Sequence, residues 1–225
     1  MNYPKEIVFL LGGTGREGMK GLFEYLAREG FFTSPASTKF HGCYEGGLAE
    51  HSYKVYSYLR EYVSKRKMKL DAVTSVGQKP LPIKPENLII AGLLHDVCKI
   101  GAYLGSEKPY SWNKKTPKGH ALLSIERIEK FIKLEDIEKL MIKFHMGIYG
   151  AYDFYEKGSW DYKKNAEYPL RGDHTNDKKM SREESKKIRY GKSLANAWYH
   201  NPICKIFSMC DEIETLEAKA AMLEE

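Results

Sequence analysis

Long stretches with helical hydrophobic spacing alternate along the chain with polar connections punctuated by Gly and Pro. Leu48, Ser52, Val55, Leu59 and Tyr62 recur at helical intervals and predict a helix over residues 48–63. Residues 86–98, centred on "LIIAGLLHDVC", are apolar almost all round, which predicts a central, buried helix. Gly92 within it leaves room for a neighbouring helix to come close. His120 to Phe131 and Leu134 to His145 predict a helical hairpin, with Leu122, Ile125, Ile128, Ile137, Leu140, Met141 and Phe144 facing inward. Pro202 opens a long last helix with Ile203, Phe207, Cys210, Ile213 and Leu216 on one face. Between these lie "FFTSPASTKFHG", a basic Pro-containing connection over residues 65–85, and a loop over residues 101–118. Residues 147–192 are Tyr- and Lys-rich with weak periodicity. The expected fold class is all-α: a single helical bundle over residues 1–225 with an irregular insertion at 147–192. That insertion reads either as a lid or substrate-recognition element, or as a surface loop.

The start of the chain offers a competing pattern. "EIVFLLGGTGREGMKG" places a strand-like apolar run before Gly13, Gly15 and Gly18, which fit G-x-G-x-x-G. A dinucleotide fold needs a second parallel strand soon after the first helix, with an acidic residue about 20 positions past the glycines. The helix expected over residues 16–28 is followed instead by "EGFFTSPASTKFHG", which has no strand pattern before Pro35. The expectation is therefore a loop at Gly12 to Gly15, a first helix from Arg16 onward, and no bound dinucleotide.

Composition narrows the classes. The 225 residues are 42% hydrophobic and 12% aromatic, enough for a globular core and too much for wholesale disorder. A net charge of +6 is compatible with a phosphate compound, with nucleic acid, or with an ordinary solvated surface. Cys43, Cys98, Cys204 and Cys210 form no C-x-x-C and imply reduced, buried thiols. The N-terminus lacks the basic-then-apolar signature of a secretion signal, and no apolar run approaches the ~20 residues that cross a bilayer. A cytoplasmic protein without membrane association is expected.

Four of the seven histidines, His51, His95, His120 and His145, fall in the predicted helices or at their ends beside the inward faces, and His41 lies in the loop before the first of them. Asp96 and Asp211 adjoin the same faces. A lone inward His is most often a satisfied core residue, but buried carboxylates are costly unless paired or metal-bound. A bundle that points His and Asp inward from several helices resembles a metal site, and imidazole with carboxylate suits Mn, Fe, Co, Ni or Zn. Without thiolate ligands, a closed structural zinc site is not expected.

The sequential His95-Asp96 pair in "LLHDVCKIG", with "GGLAEHS" upstream and Asp211 downstream, resembles the HD-domain superfamily of metal-dependent phosphohydrolases. The resemblance spans about residues 38–220, and the stretch "REGMKGLFEYLAREGFFTSPASTKFHGCYEGGLAEHS" is similar to small HD hydrolases of bacteria and phages. The order His, His-Asp, His, His, Asp looks like the subset that holds two metals. By that resemblance His51, His95, Asp96 and Asp211 hold the first ion, Asp96 bridges, and His120 and His145 complete the second. It also implies hydrolysis of a phosphomonoester or phosphodiester, such as a nucleotide, by a water activated between divalent ions. Lys99 matches the family's H-D-x-x-K and would stabilise phosphoryl charge; the other reading is a surface lysine at a helix C-terminus. His41 and Tyr44 line the pocket or merely shape a loop, and Arg171 in the insertion is a candidate substrate contact. His174 and His200 read as solvent-exposed. Two rivals stay open: a di-iron oxygenase of the same superfamily that cleaves C–C or C–P bonds, and a nucleotide-sensing binding protein on an HD scaffold.

Overall fold

In the computed structural model, which describes residues 1–65, 81–117, 119–150 and 182–224, the described residues form eight α-helices. They are α1 (Tyr3–Gly13), α2 (Met19–Arg28), α3 (Gly47–Lys65), α4 (Pro85–Leu94), α5 (His120–Glu129), α6 (Asp136–Phe144), α7 (Arg182–His200) and α8 (Pro202–Glu224). The all-α class is as expected. The connection after α4 departs from a plain loop: a 3₁₀ turn (Val97–Lys99) leads into two short antiparallel strands, β1 (Tyr103–Leu104) and β2 (Ser111–Trp112), with Tyr103 opposite Trp112. No helix of the described residues is long and apolar enough to cross a membrane.

The N-terminal expectation is corrected. The strand-like run is helix α1: Asn2 caps it by accepting from the Lys5 N–H at 3.1 Å, Pro4 lies in its first turn, and Ile7 and Leu11, one turn apart, are buried. Gly12 and Gly13 are helical rather than loop, and the next helix starts at Met19 rather than at Arg16. Gly18 has a φ of 84°, and a Cβ there would lie 1.9 Å from the Phe131 carbonyl oxygen. This glycine serves close packing against the chain between α5 and α6, with no βαβ unit around it. Arg16 secures the same junction, donating to Glu138, Glu135 and the Lys133 carbonyl.

Helix α4 runs through the centre. Leu88, Ile90, Ala91, Leu93 and Leu94 are all buried, and α3, α6 and α1 pack around it. A Cβ on Gly92 would lie 2.9 Å from the Tyr56 Cβ and 3.0 Å from its Cα, so α3 and α4 touch backbone to backbone here. Buried Asn87 donates from Nδ2 to Glu138 at 2.8 Å, tying the start of α4 to α6.

Two inward faces are rotated from the expected ones. In α5 the buried positions are Ala121, Ser124 and Ile128, and Leu122 is exposed. In α8, Ile203, Phe207 and Cys210 are buried as expected, but Ile213 and Leu216 are 42% and 55% exposed. The intervals 203, 207, 210 continue to 214, so the buried face carries Glu214 instead. Residues 182–192, counted above with the irregular insertion, belong to α7, whose Tyr190 is buried on Phe144 and donates to the Gly147 carbonyl at 2.9 Å. Arg171 and His174 lie outside the described residues.

Candidate metal centre

The turn that carries Asp96 and Lys99 is held from α5. Arg127 Nη1 donates to the carbonyls of Val97, Cys98 and Ile100 at 2.9–3.2 Å, and Ser124 Oγ accepts from the Cys98 N–H at 3.0 Å. These bonds satisfy a backbone that has left the α4 ladder in the middle of the core. Asp96 is thereby fixed with its carboxylate almost wholly buried.

Four imidazoles and a second carboxylate surround it. His51 comes from α3, His95 from the end of α4, His120 from the start of α5, His145 from the end of α6 and Asp211 from α8. The two oxygens of Asp96 face different neighbours. Oδ2 lies 3.4 Å from His51 Nε2, 3.5 Å from His95 Nε2 and 2.6 Å from Lys99 Nζ. Oδ1 lies 2.8 Å from His120 Nε2 and 3.6 Å from His145 Nε2. Asp211 Oδ1 closes the first group, 3.2 Å from His51 Nε2 and 3.8 Å from His95 Nε2. Three overlapping trios, His51–His95–Asp96, His95–His145–Asp211 and Asp96–Cys98–His120, keep their donor atoms within 4.8 Å of one another.

The donor set fits a metal. His51 Nε2 and His95 Nε2 face each other at 3.4 Å, where at best one proton can lie between them. Asp96 Oδ1 is buried and makes no hydrogen bond, even with His120 Nε2 2.8 Å away. Donors crowded this closely, with a buried carboxylate oxygen left without a hydrogen bond, are costly alone and suit a shared cation. Separations of 3.2–3.8 Å are those of donors around one ion with bonds of ~2.1 Å.

Each imidazole turns Nε2 to the centre and uses Nδ1 behind. His95 Nδ1 meets the Gly92 carbonyl at 2.9 Å, and His145 Nδ1 meets the Ile142 carbonyl at 2.6 Å. Both residues are helix C-caps, where carbonyls three residues back have no intrahelical donor. His120 Nδ1 lies 2.9 Å from Cys98 Sγ, and His51 Nδ1 is in close contact with Glu214 Oε2. Glu214 and Cys98 were not among the sequence candidates. The signal for Glu214 was its place one turn after Asp211; Cys98 lies two residues after Asp96.

Electrostatics divides the imidazoles. Burial holds His95 down to about 3. Burial also opposes protonation of His51, but the carboxylates of Asp211, Asp96 and Glu214 outweigh it and raise its pKa well above 6.5. Burial is likewise overcome at His120 by Cys98 and Asp96. Lys99 is not the surface lysine of the second reading: its side chain is 13% exposed, and Asp96 overcomes burial to raise its pKa.

The remaining candidates are placed unevenly. The His41 ring lies 5.1 Å from the His51 ring, its Nδ1 buried without a hydrogen-bond partner, and burial with the nearby Lys99 lowers its pKa to about 3. Tyr44 is 42% exposed and donates to Glu50 at 2.8 Å. His200 is half-buried, edge-on to Tyr199.

Fold and site together define an all-α protein with a buried His/Asp centre able to hold a metal. The HD domain family matches residues 48–189, more than half of the chain, and the chain belongs to that family. Its superfamily is of the metal-dependent phosphohydrolase type. No curated protein and no solved structure matches the chain.

Proposed function

We propose that the protein is a phosphohydrolase that cleaves a phosphomonoester or phosphodiester of a small molecule, with two divalent ions held by His51, His95, Asp96 and Asp211 on one side and by Asp96, His120 and His145 on the other. The observation that carries this reading is the division of Asp96, Oδ2 toward His51 and His95 and Oδ1 toward His120 and His145. Mn, Fe, Co, Ni or Zn all suit such a donor set, and ions of this kind lower the pKa of a bound water and neutralise phosphoryl charge. The chain's own groups then position the ester. Lys99 keeps its ammonium at the Asp96 edge, where it attracts a phosphoryl oxygen. His41, uncharged and with its ring 5.1 Å from that of His51, lies beside the centre as a candidate substrate contact. Trp112 is 52% exposed and packs edge-on against Tyr103, 5.6 Å between ring centres, leaving a face on which a nucleobase stacks.

The test is protein purified without chelator, its metal content measured, and then assayed on phosphomonoesters and phosphodiesters, nucleotides included, with Mn²⁺, Fe²⁺, Co²⁺, Ni²⁺ or Zn²⁺. Metal-dependent phosphate release supports the proposal. Metal-loaded protein that releases no phosphate but consumes O₂ in the Fe²⁺ arm replaces it with oxygenase chemistry.

A further inference from the structure

We infer that Glu214 is a positioning residue that sets the metal affinity of the centre by acting through His51; this rests on the metal-centre reading above. Glu214 is 4% exposed, and its Oε2 is in close contact with His51 Nδ1. It lies one turn after Asp211 on α8, so one helix face delivers a donor to the centre and a carboxylate behind another donor.

The need for it follows from where His51 sits. His95 and His145 are helix C-caps and find unused carbonyls three residues back, Gly92 and Ile142. His51 is inside α3, where the carbonyls one turn back belong to the helix ladder. An acceptor must then come from another element, and α8 packs on α3 and supplies one. A carboxylate differs from a carbonyl in charge as well as position. It holds the ring with Nδ1–H outward and Nε2 toward Asp96, Asp211 and His95, and makes that Nε2 a stronger donor than its two carbonyl-backed neighbours. His51 is therefore the ligand whose loss or misorientation the ion feels most.

Close by, Tyr58 donates to Glu217, a second contact between α3 and α8 that does not reach the centre. It supplies a control for helix packing alone. The experiment measures Mn²⁺ affinity by titration, beside far-UV circular dichroism and thermal melting of the metal-free proteins, for wild type, Glu214→Ala, Glu214→Gln and Glu217→Gln. Glu214→Ala is expected to bind Mn²⁺ 10- to 100-fold more weakly. Glu214→Gln keeps the shape and an acceptor oxygen but not the charge, so its affinity falls between Glu214→Ala and wild type; it also carries the test if Glu214→Ala does not fold. Glu217→Gln keeps wild-type affinity. Wild-type affinity in folded Glu214→Ala or Glu214→Gln overturns the inference alone, as does an equal loss in Glu217→Gln. Wild-type protein that binds no Mn²⁺ overturns the metal-centre reading and this inference with it.

Discussion

At the scale of single residues, Asp96 and Lys99 are neighbours with separable roles. Asp96 faces two groups of imidazoles through its two oxygens, and Lys99 bonds to one of them at 2.6 Å. Asp96→Ala removes the shared donor and leaves the Lys99 ammonium buried without its partner, so metal content and turnover should both fall to background. Lys99→Ala removes no donor, since an ammonium ligates nothing. Metal content should stay close to wild type while turnover drops roughly 10- to 1000-fold, about 1.4–4 kcal/mol of lost charge stabilisation. Metal stoichiometry and steady-state kinetics on both variants check this. Unchanged turnover in Lys99→Ala would take the lysine out of the mechanism.

At the scale of elements, the contact between α3 and α4 sets the site, because one carries His51 and the other ends at His95. Gly92→Ala would place a methyl 2.9 Å from the Tyr56 Cβ and against its backbone, forcing the helices apart. The expected loss is about 1–3 kcal/mol in stability, read by denaturant melts, with weaker metal binding in parallel. Gly13→Ala meets nothing within 4 Å and should change neither. This close approach was legible in the sequence, since a glycine in an otherwise apolar helix has few other uses. So was the convergence of His51, the His95–Asp96 pair, His120, His145 and Asp211, each a polar residue beside the inward face of a periodic segment. Helix α1 was hidden by its glycines, which fit a nucleotide-loop pattern while Ile7 and Leu11 carried the helical spacing. Glu214 was hidden by its neighbours. Ile213 and Leu216 claimed the inward face by being apolar, yet the interval from Phe207 through Cys210 falls on a glutamate. Hydrophobicity alone does not find a buried charge whose partner lies 163 residues away.

At the scale of the whole molecule, the apolar core and the centre are separate sources of stability. The core joins α1 to α6 and α8 through buried Ile, Leu and Phe side chains and does not require an ion. Protein stripped by chelator should therefore keep its helical circular dichroism but melt at a lower temperature. Mn²⁺ restored to 100 times its dissociation constant should add about 2.7 kcal/mol, provided the unfolded chain does not bind it. An unchanged melt on adding Mn²⁺ would show that the folded centre does not select the ion. The two imidazoles at the ends of α4 and α6 carry one more consequence. Their Nδ1 atoms close the last turns of those helices, so gripping an ion and keeping a helix end wound are the same event. Loosening of either helix end then withdraws one donor from the centre while His51 and Asp211 stay in place, so release of an ion is coupled to local opening. Amide hydrogen exchange in the last turns of α4 and α6 should slow when the ion is present, while the middle of α3 exchanges as before.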